Sequence, residues 1–368
     1  MVTTNIFPHT KPFFIPEEVP QIASPRGRLL IASCRSGTYL SRIIVERYRE
    51  LLAEADSKGE VLYLEDIDFQ FSDSETCVRL DAHVGGYDVF LVQSLFDPIS
   101  ERSVDQNYMA FLIAVRTLRE HGARHVTAVL PYLAYSRQDK PTTFMREPTT
   151  AKLMADLSIE AGIDRLLTWD PHHSQVRGFY GNIPVAMLES ITLFLEAFRR
   201  FQNRDDVITV APDAGASKFV TLFGRALGLR SAIASKFRPR PEQAEITEII
   251  GDFSGKRIAI VLDDMISSGG TMKALIEKLV EEKGIQEVYV GVSHNLCMEV
   301  ARDRLAALHE THNLREVVIT NSIEQTPSFE ELSFVTVKSL SDTLSRTINR
   351  VHYNQSVSEL FYKGDPKK

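Results

Sequence analysis

The segment Val261-Leu262-Asp263-Asp264-Met265-Ile266-Ser267-Ser268-Gly269-Gly270-Thr271 concentrates more reactive chemistry than any other stretch of this 368-residue chain. A buried-type apolar run gives way to paired carboxylates, then to small, hydroxylated and glycine residues ahead of a helical pattern. Such a stretch suits phosphate. Glycines let backbone amides approach the oxygens, a helix start offers its positive dipole end, and the hydroxyls of Ser267, Ser268 and Thr271 donate further bonds around Gly269 and Gly270. Two carboxylates beside a phosphate repel it unless they have another task. Asp263 and Asp264 would then accept bonds from sugar hydroxyls or hold a magnesium ion, which points to a sugar phosphate. The plainer alternative is a strand followed by a helix capped by Ser267 or Ser268. The chain contains neither G-x-x-x-x-G-K-[ST] nor G-x-G-x-x-G, so a nucleotide would need another device.

Five other segments carry groups that could meet such a ligand. In Pro131 to Lys140, Arg137 can pair with phosphate oxygens and stack its flat guanidinium on a base, with Gln138 and Asp139 as polar partners; a solvated turn is the bland alternative. Phe71 offers an aromatic face, and Asp73 and Glu75 project from one side of an extended strand, where carboxylates can accept an amino group; otherwise this is an edge strand and turn. His172 and His173 follow an apolar strand, and Asp213 follows another. Oxygen suits magnesium better than imidazole does, which makes Asp213 the better metal candidate on physical grounds. Lys236 and Arg238, ahead of Pro239 and Pro241, read as a mobile cationic loop that resumes as structure near Ile246.

Positioning these groups requires a scaffold, and the apolar runs describe one. Short β-rich stretches (28–33, 87–92, 125–130, 165–169, 207–210, 258–262, 288–292) alternate with helical patterns (39–54, 107–121, 149–162, 217–227, 272–283). Runs such as Val89-Phe90-Leu91-Val92 lack a polar alternate, as strands covered on both faces do in parallel α/β sheets. Ligands gather at the carboxyl ends of such strands, where most of these groups fall. A length of 368 residues fits two domains of about 150 residues each. The expected organisation is an extended proline-bearing arm over 1–26, one α/β domain over 27–182, a second over 183–339 with the seam in the turn-rich 181–184 stretch, and a C-terminal helix and tail over 340–363.

Composition narrows the function classes. Forty-two Lys+Arg against 49 Asp+Glu give a net charge of -7, which argues against a dedicated nucleic-acid binder. Cys34, Cys77 and Cys297 are too few and scattered for a disulfide framework or a zinc cluster. With no basic flank leading into an apolar core, and no apolar run of about 18 residues, the chain reads as cytoplasmic and free of membrane.

Taken together the segments resemble the ribose-phosphate diphosphokinases, also called phosphoribosyl pyrophosphate synthetases. DDMISSGGT looks like the ribose-5-phosphate loop that they share with phosphoribosyltransferases, whereas PYLAYSRQDK resembles their nucleotide segment and FSDSE their adenine-recognition strand, which phosphoribosyltransferases lack. DPHHSQVRGF resembles their magnesium and substrate segment, APDAG another strand end, and KFRPR their catalytic loop; the matches keep the family's order over nearly the whole chain. The resemblance implies two tandem phosphoribosyltransferase-like domains, each a mainly parallel sheet flanked by helices. It also implies transfer of the β,γ-diphosphoryl group of ATP to ribose 5-phosphate with Mg2+, Lys236 and Arg238 as catalytic cations, His172 at a magnesium-contacting and ATP-binding position, and a homodimer or homohexamer in which the Phe71 strand serves a neighbouring subunit.

Several positions depart from the family. Phe237 replaces a frequent arginine, Ala216 stands in place of a glycine, His173 replaces a small residue, and extra residues lie around 100–105. Family enzymes commonly respond to phosphate and ADP at a subunit interface; Ser356 and Ser358 match that site, but His83 and Gly85 replace a serine and an arginine, removing a strong phosphate donor. A non-catalytic regulatory relative and a phosphoribosyltransferase are the alternative readings.

Overall fold

The computed structural model describes residues 22–100, 102–240 and 243–360; the side chains of 236–245 and of 359 lie outside the description. The first half contains β1 (Ala23–Ser24), β2 (Gly27–Ser33), α1 (Thr38–Glu54), β3 (Leu62–Leu64), β4 (Asp68–Gln70), β5 (Thr76–Val78), β6 (Tyr87–Val92), α2 (Val104–Glu120), β7 (His125–Leu130), α3 (Thr150–Ala161), β8 (Arg165–Trp169) and β9 (Val185–Leu188). One sheet runs β1-β2-β6-β7-β8-β9, with β3 also paired to β2, while β4 and β5 form a separate two-stranded hairpin. All pairings in the large sheet are parallel except β1 with β2. Every residue of β6 is buried, because helices cover both faces and leave no solvated side for a polar alternate.

The second half adds α4 (Ile191–Ala197), β10 (Val207–Ala211), α5 (Ser217–Leu227), β11 (Arg230–Arg240), β12 (Gln243–Ile250), β13 (Ile258–Ile266), α6 (Gly270–Glu281), β14 (Glu287–Asn295), α7 (Glu299–Thr311), β15 (Leu314–Thr320), α8 (Pro327–Glu330), β16 (Val335–Lys338) and α9 (Ser341–His352). Its seven-stranded sheet runs β12-β11-β10-β13-β14-β15-β16, parallel except for the β11–β12 pair. The architecture is therefore the expected α/β one, with two mainly parallel sheets flanked by helices.

The element α9 crosses back from the second sheet onto the first. Leu344, Ile348 and Val351 are buried in one cluster with Ile44, Val45 and Tyr48 of α1 and Phe90 of β6. At about 1.5–3 kcal/mol per fully buried aliphatic side chain, this stripe outweighs anything the exposed face of α9 could gain. Polar groups fix its position: Ser345 Oγ donates to the Ile44 carbonyl at 2.9 Å, and Asn349 Nδ2 to the Tyr48 hydroxyl at 2.9 Å. Beneath them the fully buried Asp88 carboxylate accepts from His352 Nδ1 at 2.8 Å and from Arg26 Nε and Nη2 at 3.0 Å each.

Three boundaries differ from the sequence reading. The turn-rich 181–184 stretch is not the seam, because β9 follows it and pairs with β8 at the edge of the first sheet; turn residues there serve a short crossover, not a linker. The arm gives way to sheet before residue 27, since Ile22 is buried and Ala23 and Ser24 pair with Arg28 and Gly27; the rest of the expected arm, 1–21, and the tail from 361 lie outside the described residues. Lys236 and Arg238 fall on β11, not on a loop: backbone pairing to β12 continues from Ile233 to Arg240, with irregularities after Ser235 and after Phe237. Proline lacks a backbone donor, and Pro239 falls inside the second irregularity, on the part of β11 beyond Ile233 where the pairing to β10 has ended.

Candidate active site

A cavity of about 740 Å3 lies where the carboxyl ends of β8, β10, β13 and β14 converge beside the middle of β11. The first sheet contributes Asp170, His172 and His173, and the second contributes Asp213, Asp263, Asp264 and Ser293. Asp263 and Asp264 belong to β13, which runs four residues further than its apolar core, to Ile266. Strand geometry therefore fixes both carboxylates at the cavity, where a loop would leave them mobile.

Hydrogen bonds tie the two halves together at this point. His172 Nδ1 donates to Asp264 Oδ2 at 2.6 Å. Ser293 Oγ donates to Asp170, whose carboxylate also receives the Ser190 amide at 3.1 and 3.2 Å. Asp170 holds a positive φ of 36°, a conformation that these bonds maintain. Behind it the fully buried His294 places Nε2 3.1 Å from the carbonyls of both Trp169 and Asp170, with Nδ1 2.8 Å from Ser322 Oγ. That arrangement suits the neutral ring, and burial holds the imidazole below its ordinary pKa.

The carboxylates are electrostatically unequal. Burial first, and the adjacent Asp264 charge second, push Asp263 well above the usual carboxylate range. Burial also raises Asp264, but the His172 hydrogen bond and charge outweigh it and leave this group below its ordinary value. Burial lifts Asp170 to about 6. Two half-buried carboxylates side by side, with Asp213 acting on the same pair, are relieved by a positive charge, so the donor set fits a hard divalent cation. Among the described residues, however, no three His, Cys, Asp or Glu side chains stand together as a ready-made metal cluster. Such a site suits a cation that completes its coordination with oxygen donors from outside the protein.

The segment Ser267 to Thr271 leads from β13 into α6 beside these carboxylates. Gly269, not Ser267 or Ser268, occupies the position before the helix, at φ 74°, and no side chain caps it. The helix start is thus left with amides available to an anion. Arg304 of α7 supports the turn from behind, donating from Nη1 to the Ser268 carbonyl at 2.7 Å, and Ala301 lies against Gly269, where an added Cβ would approach to 3.4 Å. Asp213 shapes the neighbouring turn by accepting the amides of Gly215 at 2.9 Å and Ala216 at 3.2 Å. Ala216 has a φ of -76°, so alanine is accommodated there without strain.

The remaining sequence-derived groups are spread around this centre. Asp139 Oδ2 is 4.0 Å from His173 Nε2, and the neighbouring Lys140 lines the cavity; Arg137 and Gln138 are exposed on the same loop. Phe71, Asp73 and Glu75 stand at the exposed tip of the β4–β5 hairpin and do not line the cavity.

Comparison with known proteins accords with this layout. Residues 30–162 match the model for the N-terminal domain of ribose phosphate pyrophosphokinase, and residues 231–362 match that for the phosphoribosyl synthetase-associated domain. The ribose-phosphate pyrophosphokinase of Fusobacterium nucleatum is 35% identical over 79% of this chain and 88% of its own, and that of Clostridium acetobutylicum is 37% identical over the same shares. This chain belongs to the ribose-phosphate pyrophosphokinase family. The crystal structure of phosphoribosylpyrophosphate synthetase from Mycobacterium smegmatis superposes with a TM-score of 0.75 at 30% identity, covering 89% of this chain and 99% of that one.

Sequence reasoning gave no role to Asp170, Ser293, His294 or Arg304. Asp170 ends an apolar strand, and that was the available signal for it. The other three act through tertiary contacts with residues 28 to 125 positions away, which no local pattern encodes.

Proposed function

We propose that this member of the pyrophosphokinase family transfers the β,γ-diphosphoryl group of ATP to the C1 hydroxyl of ribose 5-phosphate, giving 5-phosphoribosyl 1-diphosphate and AMP. The observation that carries the reading is the sequence of groups along β13 into α6: two fixed carboxylates and then an uncapped helix start. That order matches a pentose whose ring hydroxyls meet Asp263 and Asp264 while its 5-phosphate meets the Ser267 to Thr271 amides and hydroxyls.

In the reaction the C1 oxygen forms a bond to the β-phosphorus, the bond from that phosphorus to the α,β-bridging oxygen breaks, and AMP leaves with that oxygen. The C1 hydroxyl gives up its proton to solvent as the new bond forms. Bound Mg2+ supplies charge neutralisation on the phosphate oxygens, with Asp213 and His172 as the groups to hold it. Asp264, pinned by His172, orients the sugar, so that an encounter in solution becomes a positioned one. Lys236 and Arg238, on the strand that leaves the cavity wall at Ala234 and Ser235, stabilise charge on the transferred group and the departing AMP oxygen. Arg137, Gln138 and Asp139 contact the nucleotide, and Phe71, Asp73 and Glu75 contact adenine.

The exposed hairpin tip of one subunit would serve the site of another, so the active species is a homodimer or a homohexamer. No helix among the described residues is long and apolar enough to cross a membrane. Cys34, Cys77 and Cys297 are all free thiols, which suits a reducing cytoplasmic setting.

A product assay on the purified chain with ATP, Mg2+ and ribose 5-phosphate tests the reading. Equal amounts of AMP and phosphoribosyl diphosphate support it. ADP as the nucleotide product, or no product unless an active partner enzyme is added, contradicts it.

A further inference from the structure

The β4–β5 hairpin is separate from both large sheets, and a lone two-stranded hairpin is marginal in water. Its tip is orderly: Phe71 N donates to the Glu75 carbonyl at 2.9 Å, Glu75 N to Asp73 Oδ1 at 3.1 Å, and Ser74 adopts φ 72°. Something must hold this arm in place. At its base Asp68, whose side chain is fully buried, accepts the Arg35 amide at 2.6 Å and pairs with the Arg102 guanidinium, itself only 9% exposed.

Arg102 lies in the residues around 100–105 that depart from the family pattern, directly before α2. Ser103 caps α2 reciprocally with Gln106, giving bonds of 2.8 and 3.2 Å, so Arg102 projects from a fixed helix start. The same first turn carries Asp105, which accepts the Tyr135 hydroxyl two residues ahead of Arg137. One helix start therefore anchors both nucleotide-directed segments of the chain, the hairpin through Asp68 and the Arg137 loop through Tyr135. From the base to the tip the arm is stiffened by aromatic contacts: the Arg79 guanidinium lies 5.1 Å from the Phe69 ring centre, and Phe69 meets Phe71 edge-on at 5.4 Å.

We infer that Asp68 and Arg102 are positioning residues for adenine recognition, acting through the hairpin to hold Phe71, Asp73 and Glu75 in the orientation that receives the base. The inference rests on the reading of the tip as a nucleotide contact. A buried ion pair suits this task, because its partners must meet in one geometry.

The test is calorimetry of Mg-ATP and of ribose 5-phosphate, each titrated separately into the intact assembly, for Phe71→Ala, Asp68→Asn, the double variant and Arg102→Lys. The expected result is that Asp68→Asn weakens ATP roughly tenfold and leaves ribose 5-phosphate unchanged. Phe71→Ala added to Asp68→Asn should cost little more, and Arg102→Lys, which retains the charge, should stay close to the parent. Full additivity in the double variant, or equal weakening of both substrates, overturns the positioning role while leaving the tip's own contact intact. Unchanged ATP affinity in Phe71→Ala instead overturns the reading of the tip, and the inference with it.

Discussion

His172 of the first sheet and Asp264 of the second meet through a 2.6 Å hydrogen bond at the mouth of the cavity. The bond crosses from one α/β half to the other, so binding at one carboxylate is felt by both. Asp264→Ala removes the group assigned to the pentose hydroxyls and releases His172. Ribose 5-phosphate should weaken by roughly ten- to a hundredfold, with ATP changing far less, as measured by calorimetry on the magnesium-loaded protein. Equal weakening of both substrates would contradict sugar recognition by Asp264.

The Asp263–Asp264 pair predicts a response to metal. Magnesium held by Asp213 and His172 should raise the melting temperature by neutralising charge beside the half-buried Asp263 and Asp264, and Asp263→Asn should shrink that rise while leaving the metal-free protein as stable as the parent or more so. Thermal melts with and without magnesium read both effects. A parent protein indifferent to magnesium would speak against the cation site.

Lys236→Ala tests the cationic strand. Because its charge is assigned to the transition state, kcat should fall by roughly two or more orders of magnitude while both dissociation constants stay near the parent values. Unchanged turnover would remove Lys236 from the mechanism.

These tests also mark what the sequence made legible. Tyr87 to Val92, His125 to Leu130 and Arg165 to Trp169 could be bounded from apolar runs alone, because central parallel strands show no competing pattern. β16, whose residues are intermediate or exposed, gives no such run, and β9 is concealed behind a turn that looks like a domain boundary. Within the site, Asp213, Asp263, Asp264 and His172 announce themselves as polar groups ending apolar strands, and the structure brings them to one cavity. Arg304 offers no such sign, being one arginine on an ordinary helix until the fold sets it under Ser268.

Acid should weaken the junction between the halves. The folded state keeps His294 neutral through burial, whereas the unfolded chain takes up a proton near pH 6.5. The stabilising contribution of His294 is thus complete above about pH 6.5 and declines as the pH falls below it. His294→Gln, whose amide can donate to the same carbonyls, should flatten the fall in melting temperature between about pH 7.5 and 5.5. An identical slope in the variant would contradict this assignment.

At the opposite end of the first sheet, Arg26→Ala strips a bidentate partner from the buried Asp88 and leaves His352 alone to hold it. The expected loss is about 3 kcal/mol in urea unfolding. A loss within about 0.5 kcal/mol, the scale of an ordinary surface substitution, would show that Asp88 does not secure α9.

The central claim is that the anomeric oxygen of the sugar attacks the middle phosphorus of the nucleotide. Freshly prepared ribose 5-phosphate carrying 18O at its C1 hydroxyl, followed by phosphorus NMR of the diphosphate product, asks this directly. Retention of 18O between C1 and the new phosphorus is the predicted result; loss of the label, as displacement at the anomeric carbon would cause, contradicts it.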